Sequence, residues 1–185
     1  MPLPRNPADG IAVFGSSEPT AGEPAYANAL ELGARLARGG YTVVTGGYGG
    51  VMEAASRGAR EAGGSTIGVT TAIFDRSPNR WLSETVQTGD LYERTRQLIE
   101  HARGFVILPG KAGTLAEIAW LWALDRAGCL NPGPVVLLGD SWRLIYELLE
   151  RESMLDPEQL ERTHLARTPI DAVRLIADAL RTEGR

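Results

Sequence analysis

Three features that can bind or act on a phosphorylated ligand follow one another in the stretch LPGKAGTLAE, residues 108–117. A glycine turn leading into a helical pattern brings free backbone N–H groups and the positive end of a helix together, which suits a phosphate group. Lys111, in the turn, is the only lysine among the 19 Lys and Arg residues of the chain. Glu117 follows in the helical pattern, where a carboxylate beside bound phosphate can act as a base or stabilise developing positive charge. The stretch therefore predicts a site for a phosphorylated small molecule.

A second glycine turn, GGYGGVMEA at residues 46–54, has the same form. The first turn is not a Walker A loop, because Ala112 stands where that motif needs Ser or Thr, and the second lacks the G-x-G-x-x-G spacing of a dinucleotide-binding fingerprint. Ser16 and Ser17 follow the first apolar run, where they can donate to phosphate or ribose or serve only as turn residues. Two such turns in one chain favour a phosphate site over glycines that merely permit tight packing.

Thr114 and Glu117 also have a purely structural interpretation. T-x-x-E at the start of a helix is a capping box, in which the two side chains satisfy two free N–H groups of the first turn. From the spacing alone, this interpretation and the functional one are about equally well supported. Both interpretations are compatible with the sequence, but one carboxylate cannot fully serve both.

The elements that must position these residues alternate along the chain. Apolar, β-branched runs predict strands at residues 11–15, 41–47, 65–70, 84–89, 104–110 and 134–140. Patterns of helical period predict helices at residues 26–40, 51–64, 91–103 and 114–128. This alternation predicts an α/β fold, a Rossmann-like, doubly wound and mainly parallel sheet sandwiched by helices. Because ligands bind beyond the carboxyl ends of such strands, we expect the GSS turn and both glycine turns on one edge.

The domain organisation is predicted to be simple. Residues 1–185 form one Rossmann-like domain without an internal repeat or linker, with a loose leader over 1–9 and C-terminal helices over 156–185. The segment TAIFDRSPNRWLSE, residues 71–84, is polar, contains proline and is long enough to form a lid over the site.

Composition excludes several classes of protein. A formal net charge of -4 argues against binding of nucleic acid or a membrane surface by bulk electrostatics. The chain has no apolar run of the roughly 18 residues that a membrane helix needs, and no signal-peptide pattern. Cys129 is the only cysteine, so an internal disulfide is excluded, and two histidines without a cysteine cluster make a zinc site unexpected. These features predict a cytoplasmic protein with a small-molecule partner and no metal.

The stretch LPGKAGTLAE resembles the PGGxGTxxE motif of the LONELY GUY (LOG) family of cytokinin-activating phosphoribohydrolases, whose members were often labelled "possible lysine decarboxylases". The resemblance extends over roughly residues 10 to 140. IAVFGSS resembles the first strand and turn of the family, and GGYGGVMEAASRGAREAGG resembles its GGGxxGLMG region. LYERTRQLIEHARGFVILPG is similar to the R-K-x-x-M segment and the strand after it. The combination is specific, whereas each part alone is not.

The resemblance implies hydrolysis of the N-glycosidic bond of a nucleoside 5'-monophosphate, AMP or an N6-modified AMP, to free base and ribose 5-phosphate. It identifies Arg94 and Glu117 as catalytic and implies a homodimer that needs no cofactor. Arg94 can orient Glu117 or hold phosphate through two nitrogens of its fork. The residues predicted to bind phosphate or nucleotide are Ser16, Ser17, Gly46, Gly47, Gly49, Gly50, Met52, Pro109, Gly110, Lys111, Ala112, Gly113 and Thr114.

Two positions depart from the family pattern, since Thr95 replaces the lysine after the arginine and Lys111 replaces the second glycine of PGG. The GGYGGVMEA region is also similar to the molybdenum-cofactor carrier proteins of the same superfamily, which bind a phosphorylated ligand without this hydrolysis. The alternative function is therefore a non-catalytic nucleotide or cofactor carrier in which Lys111 strengthens anion capture. Lysine decarboxylation fits less well, because it needs pyridoxal phosphate and Lys111 is the only residue that could form the Schiff base.

Overall fold

The computed structural model describes residues 9–130 and 132–183. The strands are β1 (Gly10–Phe14), β2 (Thr42–Thr45), β3 (Thr66–Thr71), β4 (Glu84–Thr88), β5 (Gly104–Ile107), β6 (Val135–Leu138) and β7 (Thr163–Ala166). The helices are α1 (Pro24–Arg38), α2 (Val51–Glu61), α3 (Leu91–Glu100), α4 (Ala112–Arg126), α5 (Ser141–Arg151), α6 (Pro157–Arg162) and α7 (Pro169–Glu183). Within this part of the chain, no helix is long and apolar enough to cross a membrane.

The seven strands form one parallel sheet in the order β4-β3-β2-β1-β5-β6-β7. Its two faces are covered by two separate apolar clusters, because successive strand residues point to opposite sides. Ile11 and Val13 belong to the cluster under α1, α2 and α7. Ala12 and Phe14 belong to the cluster under α3, α4 and α5. Burial on both faces explains why the strands read as continuous apolar runs, and the predicted doubly wound α/β fold is confirmed.

The strand order places a topological switch point between β1 and β5. The chain winds outward through β2, β3 and β4 on one side of β1, and through β5, β6 and β7 on the other. The loops that follow β1 and β5 meet at this point, where the backbone N–H of Ser16 donates to the carbonyl of Pro109 at 3.3 Å. The N–H of Val51, at the start of α2, donates to the carbonyl of Ser16 at 2.9 Å. The GSS turn and both glycine turns therefore lie on one edge of the sheet, as the sequence predicts.

All six predicted strands and four predicted helices are present, with ends shifted by a few residues. The prediction for residues 156–185 was incomplete, since the tail holds α6 and α7 but also β7, which pairs with β6 at the edge of the sheet. The sequence of β7, THLA, contains polar residues and forms no continuous apolar run like those of β5 and β6, which is why the sequence does not reveal it. Helix α5 was also not predicted. Apart from Asp9, the predicted leader over 1–9 lies outside the described residues.

Candidate active site

A cleft of about 180 Å³ opens at the switch point between β1 and β5. The loops after β1 and β3, the turn before α2, helix α3 and the first turns of α4 supply its walls. It is lined by Gly15, Ser16, Ser17, Glu18, Tyr48, Met52, Phe74, Arg76, Arg94, Lys111, Gly113, Thr114 and Glu117. The cleft therefore contains both residues that the sequence predicts to be catalytic.

Arg94 lies on the buried face of α3, whose start is fixed by Asp90 accepting a hydrogen bond from the N–H of Glu93. Its Nε donates to the carbonyl of Val69 at 2.9 Å, and its Nη2 donates to the carbonyl of Gly46 at 3.1 Å. Two of the three nitrogens of the fork are thus occupied by backbone carbonyls. This arrangement favours the role of orienting Glu117 over a bidentate grip on phosphate.

Gly46 makes this position of the guanidinium possible. A Cβ at residue 46 would lie 1.8 Å from Nη2 of Arg94, a distance that no side chain can adopt. Gly46 does not line the cleft, although the sequence predicts it as a nucleotide contact. Its role in this geometry is to leave space for the arginine.

The third nitrogen of the fork faces Glu117. Nη1 of Arg94 lies 3.6 Å from Oε1 of Glu117, and the two side chains are 10% and 15% exposed. Burial raises the pKa of the Glu117 carboxyl to about 7, against the opposing effect of the Arg94 charge. Burial also lowers the pKa of Arg94, while the Glu117 carboxylate counteracts that shift. The pair therefore holds a carboxylate that can change protonation state near neutral pH, which suits acid–base work.

The start of α4 shows that the capping-box interpretation of Thr114 and Glu117 is wrong. The helix begins at Ala112, two residues earlier than predicted, with Lys111 as its N-cap residue. Thr114 is therefore already inside the first turn, and no side chain caps this helix end. The N–H groups of a first helical turn have no partner within the helix, so they are available to an anion in the cleft.

The start of α2 has a similar form. Gly50 is its N-cap residue at φ 68°, and no side chain caps this end either. A Cβ at residue 50 would lie 2.4 Å from the carbonyl oxygen of Ser16, so glycine is required both for the positive φ and for the close approach of the two loops. Tyr48 and Met52 flank this helix end and line the cleft. Two helix N-termini without a side-chain cap thus lie beside the cleft, and at α2 the first N–H, that of Val51, is already bound to the carbonyl of Ser16.

The predicted binding residues divide into two groups. Those that line the cleft are Ser16, Ser17, Met52, Lys111, Gly113 and Thr114. Those that the structure does not bring to its wall are Gly46, Gly47, Gly49, Gly50, Pro109, Gly110 and Ala112. Close packing explains the glycine at one position of the second group: at Gly110, a Cβ would lie 2.1 Å from Oγ1 of Thr114. A glycine spacing alone does not separate these two roles.

Four cleft residues with functional groups were missed by sequence reasoning: Glu18, Tyr48, Phe74 and Arg76. The hydroxyl of Tyr48 donates to the carbonyl of Thr71 and accepts from its N–H, at 3.0 and 2.9 Å. The ring of Phe74 meets that of Tyr48 edge-on, with centroids 5.7 Å apart. Phe74 and Arg76 belong to residues 71–84, which the sequence predicts to form a lid over the site. That prediction was the signal that could have identified them.

Lys111 lies at the rim of the cleft. Its φ of -96° is ordinary for any residue, so replacing the family's second glycine causes no backbone strain here. Its side chain is 73% exposed, and Nζ lies 2.6 Å from Oε1 of Glu18. The lysine is thus accommodated by pointing outward rather than by filling the cleft.

Comparison with known proteins identifies the family of the chain. The family model of the SLOG cluster4 family matches residues 9–160. The chain belongs to this family. The SLOG cluster4 match covers both glycine turns, Arg94 and Glu117, and it agrees with the LOG resemblance of the sequence.

Two mycobacterial relatives carry the name cytokinin riboside 5'-monophosphate phosphoribohydrolase. The protein of Mycobacterium tuberculosis is 29% identical over 176 residues, which cover 90% of this chain and 92% of the relative. That of Mycobacterium marinum is 34% identical over 139 residues, which cover 71% of each chain. These relatives confirm the LOG family resemblance that the sequence indicates.

Among solved structures, two molybdenum-cofactor proteins share the fold. The molybdenum cofactor binding protein of Rippkaea orientalis matches with a TM-score of 0.74 and 27% identity, covering 94% of this chain and 98% of the other. The molybdenum cofactor carrier protein of Chlamydomonas reinhardtii matches with a TM-score of 0.69 and 26% identity, with the same coverage. The SLOG fold is thus shared by proteins named as hydrolases and proteins named as carriers.

Proposed function

We propose that this protein hydrolyses the N-glycosidic bond of a nucleoside 5'-monophosphate, AMP or an N6-modified AMP, to free base and ribose 5-phosphate. The observation that carries the proposal is the Arg94–Glu117 pair, whose two side chains are largely buried against the cleft. A carboxylate held in this way is costly for the fold, and such groups cluster at catalytic sites. The relatives named as phosphoribohydrolases support the same reaction.

The arrangement of groups around the cleft fits this chemistry. The 5'-phosphate binds at the uncapped N-termini of α4 and α2, where backbone N–H groups and the helix dipole favour an anion. Cleavage of a glycosidic bond passes through an oxocarbenium-like state, and the Glu117 carboxylate stabilises this positive charge. The bonding electrons leave with the base, which takes up a proton. Water adds to the anomeric carbon after losing a proton to Glu117.

Arg94 acts in this scheme through Glu117. Its Nε and Nη2 are held by backbone carbonyls, so the fork is rigid and Nη1 keeps a fixed direction toward the carboxylate. The positive charge of Arg94 opposes the effect of burial on the pKa of Glu117. Arg94 therefore keeps a useful fraction of Glu117 ionised at neutral pH.

The size of the cleft indicates where the base lies. At about 180 Å³ it is smaller than the roughly 300–1,000 Å³ of typical ligand pockets, so ribose and phosphate fill it. The base then extends to the rim, where Phe74 and Arg76 of the predicted lid are exposed. Aromatic and guanidinium planes both stack on nucleobases.

A substrate panel tests the proposal. The purified protein is incubated with AMP, N6-substituted AMPs and adenosine, and ribose 5-phosphate or ribose is measured. We expect ribose 5-phosphate from a monophosphate and no turnover of adenosine, because adenosine lacks the group that the two helix N-termini bind. Equal turnover of adenosine and AMP would contradict the phosphate site.

The pKa of Glu117 predicts the pH dependence of the reaction. Because the ionised carboxylate is the active form and its pKa is raised to about 7, kcat/KM rises with pH through about 7 and levels off above it. A pH–rate profile of AMP hydrolysis between pH 5 and 9 measures this. A profile that is already flat at pH 5 would show that Glu117 has an ordinary pKa or no part in the reaction.

Protein stability gives an independent reading of the same group. A carboxyl whose folded pKa lies above its usual 4.5 contributes stability that is present below about pH 4.5 and is lost as pH rises through about 7. In Glu117→Gln, residue 117 does not titrate, so this contribution to the pH dependence of folding stability is absent. Urea unfolding of both proteins at pH 5 and pH 8 is therefore expected to show a larger loss of unfolding free energy in the parent.

The alternative is a non-catalytic carrier of a nucleotide or phosphorylated cofactor, in which Lys111 at the rim strengthens anion capture. The observation in its favour is the lysine that replaces the second glycine of PGG. The buried Arg94–Glu117 pair favours the enzyme, because an ionised carboxylate beside an anionic ligand weakens binding and a carrier gains nothing from it in return. We also propose, from the family resemblance, that the protein is a homodimer. Its predicted cytoplasmic location stays a prediction.

A further inference from the structure

An ion pair spans the rim of the cleft between two loops that are far apart in sequence. Nζ of Lys111 lies 2.6 Å from Oε1 of Glu18, across 93 residues of chain. Glu18 belongs to the loop after β1, and Lys111 is the N-cap residue of α4. Both residues line the cleft. The only lysine of the chain is therefore bound to a carboxylate beside the N-terminus of α4, which has no side-chain cap.

This ion pair is weak enough to be exchanged. The side chains of Lys111 and Glu18 are 73% and 63% exposed, and exposed pairs contribute little because water screens them. A phosphate monoester carries about -1.5 to -2 charges at pH 7 against one for the carboxylate, so it attracts the ammonium more strongly. The flexible stem of lysine lets the ammonium turn from one partner to the other, which a rigid guanidinium does less easily.

We propose that Lys111 exchanges Glu18 for the phosphate of the ligand, and that Glu18 is thereby a specificity-determining residue of the site. Glu18 occupies the lysine and adds a negative charge at the mouth of the cleft. Glu18 therefore selects for ligands whose anionic group carries enough charge to displace a carboxylate. It weakens the binding of singly charged anions such as carboxylates. The inference rests on the proposed phosphate site and specifies how this chain modifies it.

A double-mutant cycle tests the exchange with inorganic phosphate as the probe. Glu18→Gln frees Lys111, so we expect it to tighten phosphate binding about three- to fivefold, the most that an exposed ion pair is worth. In a Lys111→Met background, the same change is expected to alter binding less than twofold. Glu31→Gln, which removes an exposed carboxylate from the Arg35 pair on α1, is the matched control and leaves phosphate binding unchanged.

Several outcomes of the cycle would overturn the proposal. An equal gain in both backgrounds means that Glu18 acts only by repulsion and that Lys111 takes no part. No change, or weaker binding in Glu18→Gln, means that the two residues do not compete in this way. All titrations are run at constant ionic strength, since screening alone changes exposed pairs.

The single lysine provides a direct spectroscopic readout. Reductive methylation with ¹³C-formaldehyde labels only Lys111 and the chain's α-amino group, so the lysine gives one dimethylamine signal in a ¹H–¹³C spectrum. We expect phosphate to move this signal in the parent, and the signal of unliganded Glu18→Gln to differ from that of the unliganded parent. A lysine signal that phosphate leaves in place, at concentrations where other resonances titrate, would overturn the exchange.

The two proposals fail separately. If phosphate moves the Lys111 signal but AMP is not hydrolysed, the exchange stands and the hydrolase function fails. If AMP is hydrolysed while the Lys111 signal does not respond to phosphate, the hydrolase function stands and the exchange fails.

Discussion

Glu117→Gln is expected to nearly abolish the release of free base from AMP. The expected loss in kcat is about 10²- to 10⁴-fold, the usual contribution of a positioned acid or base. The substitution keeps the shape of the side chain and removes only the charge that stabilises the sugar cation and activates water. Nucleotide affinity is expected to stay within several-fold, because the phosphate binds at the helix ends and not at this carboxylate. Steady-state kinetics and calorimetric titration with AMP measure the two effects.

Stability controls separate this result from unfolding. Glu117 does not cap α4, so its replacement leaves the helix end unchanged. Arg94 keeps its two backbone carbonyl acceptors in Glu117→Gln, so we expect a melting-temperature shift below about 4 °C, which corresponds to about 1 kcal/mol for a chain of this length. Glu147→Gln removes an exposed carboxylate from an i,i+4 pair on α5 and serves as the matched control with full activity. Unchanged turnover in Glu117→Gln would refute the catalytic role.

Arg94→Ala is expected to lose activity to a similar extent while phosphate affinity stays within several-fold. The change leaves Glu117 without its partner and the carbonyls of Gly46 and Val69 without their donor. Because breaking a buried pair leaves an uncompensated charge, a stability loss of about 3 kcal/mol is also expected. Ribose 5-phosphate titration separates the roles: a large loss of affinity would mean that Arg94 holds phosphate instead.

Arg94→Lys keeps the charge and tests the geometry. A lysine cannot reproduce three contacts in fixed directions, so activity is expected to recover little. A more distant ammonium also lowers the pKa of Glu117 less than the guanidinium does, so the pKa-raising effect of burial is less well opposed. The midpoint of the pH–rate profile is therefore expected to move upward from about 7. Arg103→Ala, which removes an exposed arginine paired with Asp9, is the control. If it behaves like Arg94→Ala in the same assays, Arg94 has no special role.

The fold was largely predictable because parallel strands buried on both faces must be continuously apolar and must alternate with helices. The same reasoning missed β7, because its sequence THLA includes the polar Thr163 and His164 and forms no continuous apolar run. It also placed the start of α4 at Thr114, since T-x-x-E is locally a good cap. The backbone instead turns helical at Ala112, and this difference of two residues decides whether Glu117 is a capping group or a cleft residue.

The candidate site was predictable in its residue types and less so in its contacts. The family resemblance identifies Arg94 and Glu117 together, but only tertiary packing shows that the carbonyls of Gly46 and Val69 occupy the arginine fork. The sequence likewise identifies Lys111 as unusual without indicating Glu18. The partners of this pair are 93 residues apart, and no local pattern links them.

A single-turnover assay tests the hydrolase function most directly. The protein is mixed in excess over AMP at pH 8, where Glu117 is mostly ionised, and the nucleotide pool is separated after quenching. The expected result is adenine and ribose 5-phosphate in equal amounts from the parent protein, and intact AMP from Glu117→Gln. Recovery of intact AMP from a parent protein that demonstrably binds it, with N6-modified AMPs behaving in the same way, would contradict the hydrolase and leave a carrier.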